Sequence, residues 1–274
     1  MRKEHSSIGD RMKEYEYVSR NFLTRHIPVV IRVDGKAFHT FTKGMTKPFD
    51  SILMTAMQET MKYMCENIQG CVLGYTQSDE ITLVLTDYDT IATDAWFGYN
   101  IQKMSSISAS MATLAFNKAF RRIVQDQLTG TAGEDDETFQ RLRMYALEKS
   151  DKAMFDARVF TVPKDEVCNC LIWRQQDATR NSIESVGQAY FSAKKLFKKN
   201  CNEIQDMLFT EHAINWNDYP TDCKRGACCH REIVETVMPH PKTGEMITVS
   251  RKRWTIDRDI PIFTQDREYI TKWL

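Results

Sequence analysis

No apolar run in this 274-residue chain is long enough to span a bilayer, and the opening Met1-Arg2-Lys3-Glu4-His5 has no hydrophobic signal-peptide core. Neither a membrane span nor a secretory address is expected, and a cytoplasmic protein is. Net charge is absent too, since 37 basic residues balance 37 acidic ones. A nucleic-acid contact would therefore have to come from local patches. The glycine spacings of a Walker loop or a dinucleotide fingerprint are missing. The eight cysteines, including Cys223, Cys228 and Cys229 beside His230, lack the paired spacing of a structural zinc site. In a non-secreted chain they are expected to be reduced thiols.

What is present begins with Gly74-Tyr75-Thr76-Gln77-Ser78-Asp79-Glu80-Ile81-Thr82-Leu83-Val84-Leu85. Apolar residues enter and an alternating run leaves, which predicts a β-hairpin with Asp79 and Glu80 at its tip. Upstream, the β-branched run Val29-Val30-Ile31-Arg32-Val33 ends on Asp34-Gly35. If the two strands neighbour one another, Asp34 and Asp79 converge at one edge, where hard oxygen ligands suit Mg²⁺ bound together with substrate phosphates. Read alone, both acids also suit ordinary turns. After Gly35 the chain runs into a short helix whose free N–H groups form a phosphate cradle. His39, Lys43 and Lys47 are placed to add to it, whereas Phe38 and Phe41 are expected to pack inward.

Around this centre, residues 6–26 are predicted helical, with Met12, Tyr15, Tyr17 and Phe22 on a partly apolar face. Residues 49–68 form a clearer helix whose methionine-rich stripe is core against a sheet. Strand, helix and hairpin open a ferredoxin-like βαββαβ unit. Helical spacing returns from Ile101 through Val124, and Phe155–Val162 is a further strand ended by Pro163. The polar segment 129–138 is read as an exposed loop dividing a catalytic region, 1–135, from a C-terminal region, 136–274. In that second region the lysines of Ala193-Lys194-Lys195-Leu196-Phe197-Lys198-Lys199 fall on one predicted helix face. With Arg180 they form a candidate RNA track. A hairpin is expected to turn at Pro241-Lys242-Thr243-Gly244, and Trp273-Leu274 to pack.

The motifs Arg32-Val33-Asp34-Gly35-Lys36-Ala37-Phe38 and Gly74-Tyr75-Thr76-Gln77-Ser78-Asp79-Glu80 resemble those of the tRNA(His) guanylyltransferase superfamily, the 3′–5′ polymerases. Ile8–Lys13, Phe155–Val159, Trp173–Asp177 and Ile260–Thr264 extend the resemblance over nearly the whole chain. It implies an α+β fold, a polymerase- and cyclase-like palm with an antiparallel sheet, carrying a C-terminal α/β extension. It implies two Mg²⁺ ions at Asp34, Gly35 and Asp79, with Glu80 beside them as a further catalytic residue. It implies ATP or GTP as substrate, with triphosphate contacts from Lys36, Ala37, Phe38, His39, Lys43, Lys47, Ser78 and Lys103. It further implies tRNA as partner and a homotetramer, a dimer of dimers.

At the place where tRNA(His)-specific members carry a His-Ile-Asn-Asn element, this chain has Thr179-Arg180-Asn181-Ser182. Only Asn181 is kept, which resembles the bacterial and archaeal members that repair 5′-truncated tRNA under template direction. Arg180, Asn181, Lys194, Lys195, Lys198 and Lys199 are the expected tRNA contacts. Template-directed 5′-end repair is the expectation. A tRNA(His)-specific guanylyltransferase, a non-catalytic RNA-binding palm and a nucleotidyl cyclase are the alternatives. Intact Asp34, Asp79 and Glu80 speak against the binding-only palm, and Trp173–Asp177 with the C-terminal half against the cyclase.

Overall fold

The computed structural model describes residues 7–130, 136–239, 244 and 246–274. In chain order the first elements are α1 (Ile8–Val18), β1 (Val29–Gly35), α2 (Phe38–Phe41), α3 (Ser51–Asn67), β2 (Cys71–Gln77), β3 (Glu80–Leu85), α4 (Ile101–Gly130) and α5 (Glu137–Glu148). Then follow β4 (Phe155–Thr161), α6 (Val167–Tyr190), α7 (Ala193–Leu196), α8 (Cys201–His212), α9 (Thr221–Arg225), β5 (Ala227–Pro239), β6 (Met246–Asp257) and α10 (Glu268–Thr271). All six strands form one sheet in the order β4-β1-β3-β2-β5-β6, every pair antiparallel. The first four, with α3 and α4 as crossovers, are the ferredoxin-like unit that the palm-type α+β reading requires. Strands β5 and β6 extend it beside β2.

Local chemistry sets these boundaries. Asp50 caps α3 by accepting from the backbone N–H groups of Ile52 and Leu53, both at 3.0 Å. The stripe Ile52, Ala56, Met57, Met61 and Met64 is buried as its spacing demands, packing with α4 against Val29, Ile31, Val33, Ile81, Leu83 and Leu85. Strand β3 is buried along its whole length, because α6 covers the second face. There Val167, Cys168, Leu171 and Ile172 pack on Leu73, Tyr75, Val84 and Cys228. Trp273 and Leu274 pack against that same cluster.

Three expectations need correction. Helix α1 begins at a Ser7–Asp10 capping box but stops at Val18, and none of its residues is buried. Its apolar side chains contribute nothing to the core. Helix α4 continues to Gly130 and α5 starts after the Asp136 cap, so the exposed segment is shorter than 129–138, and its residues 131–135 lie outside the described residues. The lysine-bearing helix also breaks. α7 has only four residues, and an Asn200–Glu203 capping box starts α8 at Cys201. The expected turn residues 241–243 lie outside the described residues.

Candidate active site

Strands β1 and β3 pair in the register Val33 with Ile81 and Asp34 with Glu80. Asp79, one residue before Glu80, therefore lands in the turn beside the end of β1. The Gly35 N–H donates to the Asp79 carbonyl at 3.1 Å, locking the hairpin tip to that end. Two non-glycine residues in left-handed backbone flank the acids, Ala37 at φ 55° and Ser78 at φ 50°. Such conformations cost energy and need support from surrounding structure. At Gly35 a Cβ would fall 2.3 Å from the Phe38 ring, so glycine is needed for close approach.

The electrostatics mark the same point. Burial, and next the neighbouring Asp34 carboxylate, raise the Asp79 carboxyl above the usual range. Ser78 Oγ opposes this by donating to Asp79 Oδ1 at 3.1 Å. Asp34 keeps its side chain 41% exposed, with Arg158 Nη2 at 3.9 Å. Two carboxylates pressed together in partial burial gain from a cation between them. An all-oxygen donor set suits a hard cation such as Mg²⁺, which Asp34, Asp79 and the Gly35 carbonyl could hold between them. Among the described residues no group of three His, Cys, Asp or Glu is arranged to hold a metal. Any remaining positions of a bound ion would fall to carbonyl, water or substrate oxygens.

The expected phosphate contacts separate into groups. Lys36, His39, Lys43 and Lys47 are exposed around the turn and α2, although the Lys36 N–H is taken by the Met154 carbonyl at 2.8 Å. Ser78 is exposed at the tip itself. Phe38 is buried in an aromatic cluster, 4.8 Å from Phe41 and 5.1 Å from Phe155 between ring centroids. Its side chain is core, and only its backbone can meet a phosphate. Lys103 lies farther along α4 from the two acids. Helix α4 passes the Asp34 end at Thr113, whose Oγ1 accepts from Phe155 N at 3.2 Å. Lys103, ten residues earlier (103 to 113), lies about 15 Å back along the axis, with its ammonium 5.7 Å over the Phe97 ring.

Glu80 also departs from expectation. Both of its oxygens accept from Arg174 of α6 at 2.7 Å, in a pair 8% exposed on each side. Arg174 reaches Asp177 as well, at 2.8 Å. In this structure both Glu80 oxygens face Arg174, and the pair fixes α6 beneath the hairpin tip. Beside it, Trp173 is 53% exposed, with Arg32 at 5.7 Å and Arg174 at 4.4 Å from its ring. Arg32 and Arg158 are register partners. Sequence reading passed over this cationic surface next to Asp34. Its one signal is the position of Arg32 two residues, one strand period, before Asp34.

The sequence profile described as tRNA(His) guanylyltransferase matches residues 9–163. The chain belongs to the tRNA(His) guanylyltransferase family. A solved structure, a bacterial tRNA(His) guanylyltransferase-like protein in complex with ATP, is 43% identical, with a TM-score of 0.80 over 97% of this chain and 98% of that one. A second such structure, in complex with GTP, is 38% identical, with a TM-score of 0.71 over 97% and 99%. The probable tRNA(His) guanylyltransferase of Mus musculus is 26% identical over 88% of this chain and 80% of its own length. The family's chemistry, nucleotidyl transfer, is therefore the chemistry to seek in the Asp34–Asp79 site.

In this guanylyltransferase-family chain the expected tRNA contacts scatter. Arg180 is exposed and pairs with Asp177. Asn181 instead lines a cavity of about 120 Å³ that Ser78 also lines, which places it near the hairpin tip. Lys195 pairs with Glu211 and Lys199 with Glu203. Lys198 has left-handed backbone and lies 5.4 Å from the Phe197 ring. Lys194 is exposed. No single basic helix face joins the four lysines.

Proposed function

We propose that the protein adds nucleotides in the 3′–5′ direction to the 5′ end of truncated tRNA, directed by the opposing template base. The observation that carries this reading is the Asp34–Asp79 pair, held at one end of a ferredoxin-like sheet in a chain of this family. The altered Thr179-Arg180-Asn181-Ser182 segment favours repair over selection of tRNA(His). Likeness to bacterial proteins in complex with ATP and with GTP supports both nucleotides as substrates. In the first step an oxygen of the RNA 5′-phosphate attacks the α-phosphorus of ATP and pyrophosphate leaves. In the second, the 3′-hydroxyl of an incoming NTP attacks the activated 5′-phosphorus and AMP leaves.

Mg²⁺ held at Asp34 and Asp79, two ions in the full reading, supplies charge neutralisation and activation of the attacking oxygen. The chain itself contributes position. Ser78 and the exposed cations around α2 orient the triphosphate, and the Glu80–Arg174 pair keeps the tip in place. A homotetramer belongs to the same reading, supported by the unburied Ile8, Met12 and Tyr15 of α1.

The deciding experiment is nucleotide addition to a labelled tRNA lacking its first residue, with Mg²⁺, ATP and all NTPs. Asp79→Ala and full-length tRNA(His) run alongside. Addition that follows the template and disappears in Asp79→Ala establishes repair. Addition of G alone, and only to tRNA(His), transfers the assignment to a specific guanylyltransferase. Absence of addition to either RNA ends the catalytic reading.

A further inference from the structure

Outside the Asp34–Asp79 site lies a cavity of about 400 Å³ between α6, α9 and the chain near Ile262. Its walls are built rather than incidental. Gln175, 5% exposed, donates from Nε2 to the Pro261 carbonyl at 2.9 Å and accepts from the Phe263 N–H at 2.8 Å. Trp216 Nε1 donates to Ser182 Oγ at 3.0 Å. The Tyr75 hydroxyl donates to the Arg225 carbonyl at 2.7 Å, tying α9 to β2.

The lining carries two cations, Lys224 and Arg225, with Gln176, Thr179 and Asn217 as neutral polar partners, and among the described residues includes no carboxylate. Asp222, the acid nearest along α9, lines a different cavity and accepts from Gln58 Nε2 at 3.0 Å. Among the described residues the buried Arg225 Nε has no hydrogen-bond partner. Burying a guanidinium N–H without an acceptor is costly, so the Arg225 guanidinium retains unused bonding capacity beside this cavity. Lys224 lies 5.8 Å over the Trp216 ring, beside an apolar surface suited to a base or ribose. Arg225 also lines the cavity that reaches Ser78, so a ligand here stands next to the strand leading to Asp79.

We propose that this cavity is a second phosphate-binding site, taking a phosphate group borne on a nucleotide, with Lys224 and Arg225 as its partners. The proposal deepens the polynucleotide-substrate reading and rests on it for the identity of the ligand. The phosphate comes either from the RNA backbone or from a free nucleotide.

The test is equilibrium binding to the full chain in EDTA, which removes divalent ions from the Asp34–Asp79 site. The probes are a 5′-truncated tRNA hairpin and AMP, with Lys224→Gln, Arg225→Gln and the distant control Arg231→Gln. The expected result is an about tenfold weaker Kd for one probe in the first two variants and no change in the control. For RNA, the slope of log K on log salt also falls by about one. Loss with the hairpin identifies the backbone as the source, and loss with AMP alone identifies a free nucleotide. Wild-type Kd for both probes in variants of unchanged Tm overturns the proposal. Should Arg225→Gln not fold, the exposed Asn217→Glu places a carboxylate at the mouth, and unchanged binding there overturns it equally. Because no turnover is read, failure of nucleotide addition leaves this result standing, and the converse also holds.

Discussion

Arg174 of α6 grips Glu80 of β3 through two contacts of 2.7 Å, directly behind the turn that carries Asp79. Removing Arg174 strands the Glu80 charge in a buried position, at a cost of about 3–5 kcal/mol, whereas removing Glu80 leaves Arg174 with Asp177 as its remaining partner. Arg174→Met should therefore lower the urea midpoint strongly, and Glu80→Gln by less. The double variant Glu80→Met/Arg174→Met should recover much of the stability in the same titration. Its nucleotide addition should stay low, since the tip has lost its anchor. Full activity in the double variant would show that the pair serves the fold alone.

Asp79 presents the opposite case, a carboxyl raised by burial and by Asp34. With the folded-state pKa above the unfolded one, the native state binds more protons between the two values, so this group's contribution to stability falls as pH rises through that window. Asp79→Asn should raise Tm at neutral pH without divalent ions and flatten that pH dependence. Mg²⁺ should raise the wild-type Tm by mass action and leave Asp79→Asn unmoved. Equal Mg²⁺ responses in the two proteins would dismiss the site.

Phe38 sits in the core although it lies within the nucleotide-facing motif. Phe38→Ala should cost about 3–5 kcal/mol in a denaturant titration. Phe38→Leu, less disruptive, should keep the KM for ATP unchanged while lowering Tm. A raised KM without lost stability would return the side chain to the nucleotide site.

His230 is buried, stacked 4.8 Å from Trp273, with Glu232 and Asp257 at 3.9 and 4.0 Å and Lys272 also facing it. Burial outweighs the two acids and lowers its pKa. The unfolded chain then binds more protons below the ordinary imidazole value of about 6.5, and stability is lost as pH falls through that range. His230→Phe should remove this acid sensitivity, seen by comparing urea midpoints at pH 5 and 7.5.

The parts of this architecture that sequence reveals are those written in short-range pattern. The Ile52–Met64 stripe, the strand ending on Asp34-Gly35 and the hairpin bearing Asp79 each carry their own periodicity and turn chemistry, and their adjacency follows from ferredoxin-like order. Partners of Glu80 are not legible in this way, because Arg174 lies 94 residues away and meets it only once α6 covers the sheet. The lysines of 194–199 mislead for a local reason. Asn200 and Glu203 form a capping box that outcompetes continuation of α7, and charge spacing alone does not report it. The Lys103 assignment rests on position near the start of α4, and charge pattern does not report how far along that helix the acids lie.

Strand β5 pairs with β2 only through Ala227–Cys229, whereas its pairing with β6 continues to Pro239. Beyond Cys229, among the described residues, the two strands form a ribbon with no third strand beside it, and β6 lies at the sheet edge. Such an edge is a template for non-native pairing between molecules. Arg251, Lys252 and Arg253, exposed in succession there, place like charges opposite one another when two such edges pair with these residues in register. The basic run thereby guards against aggregation, and replacing those three residues with threonine should lower the concentration at which the folded protein stays in solution.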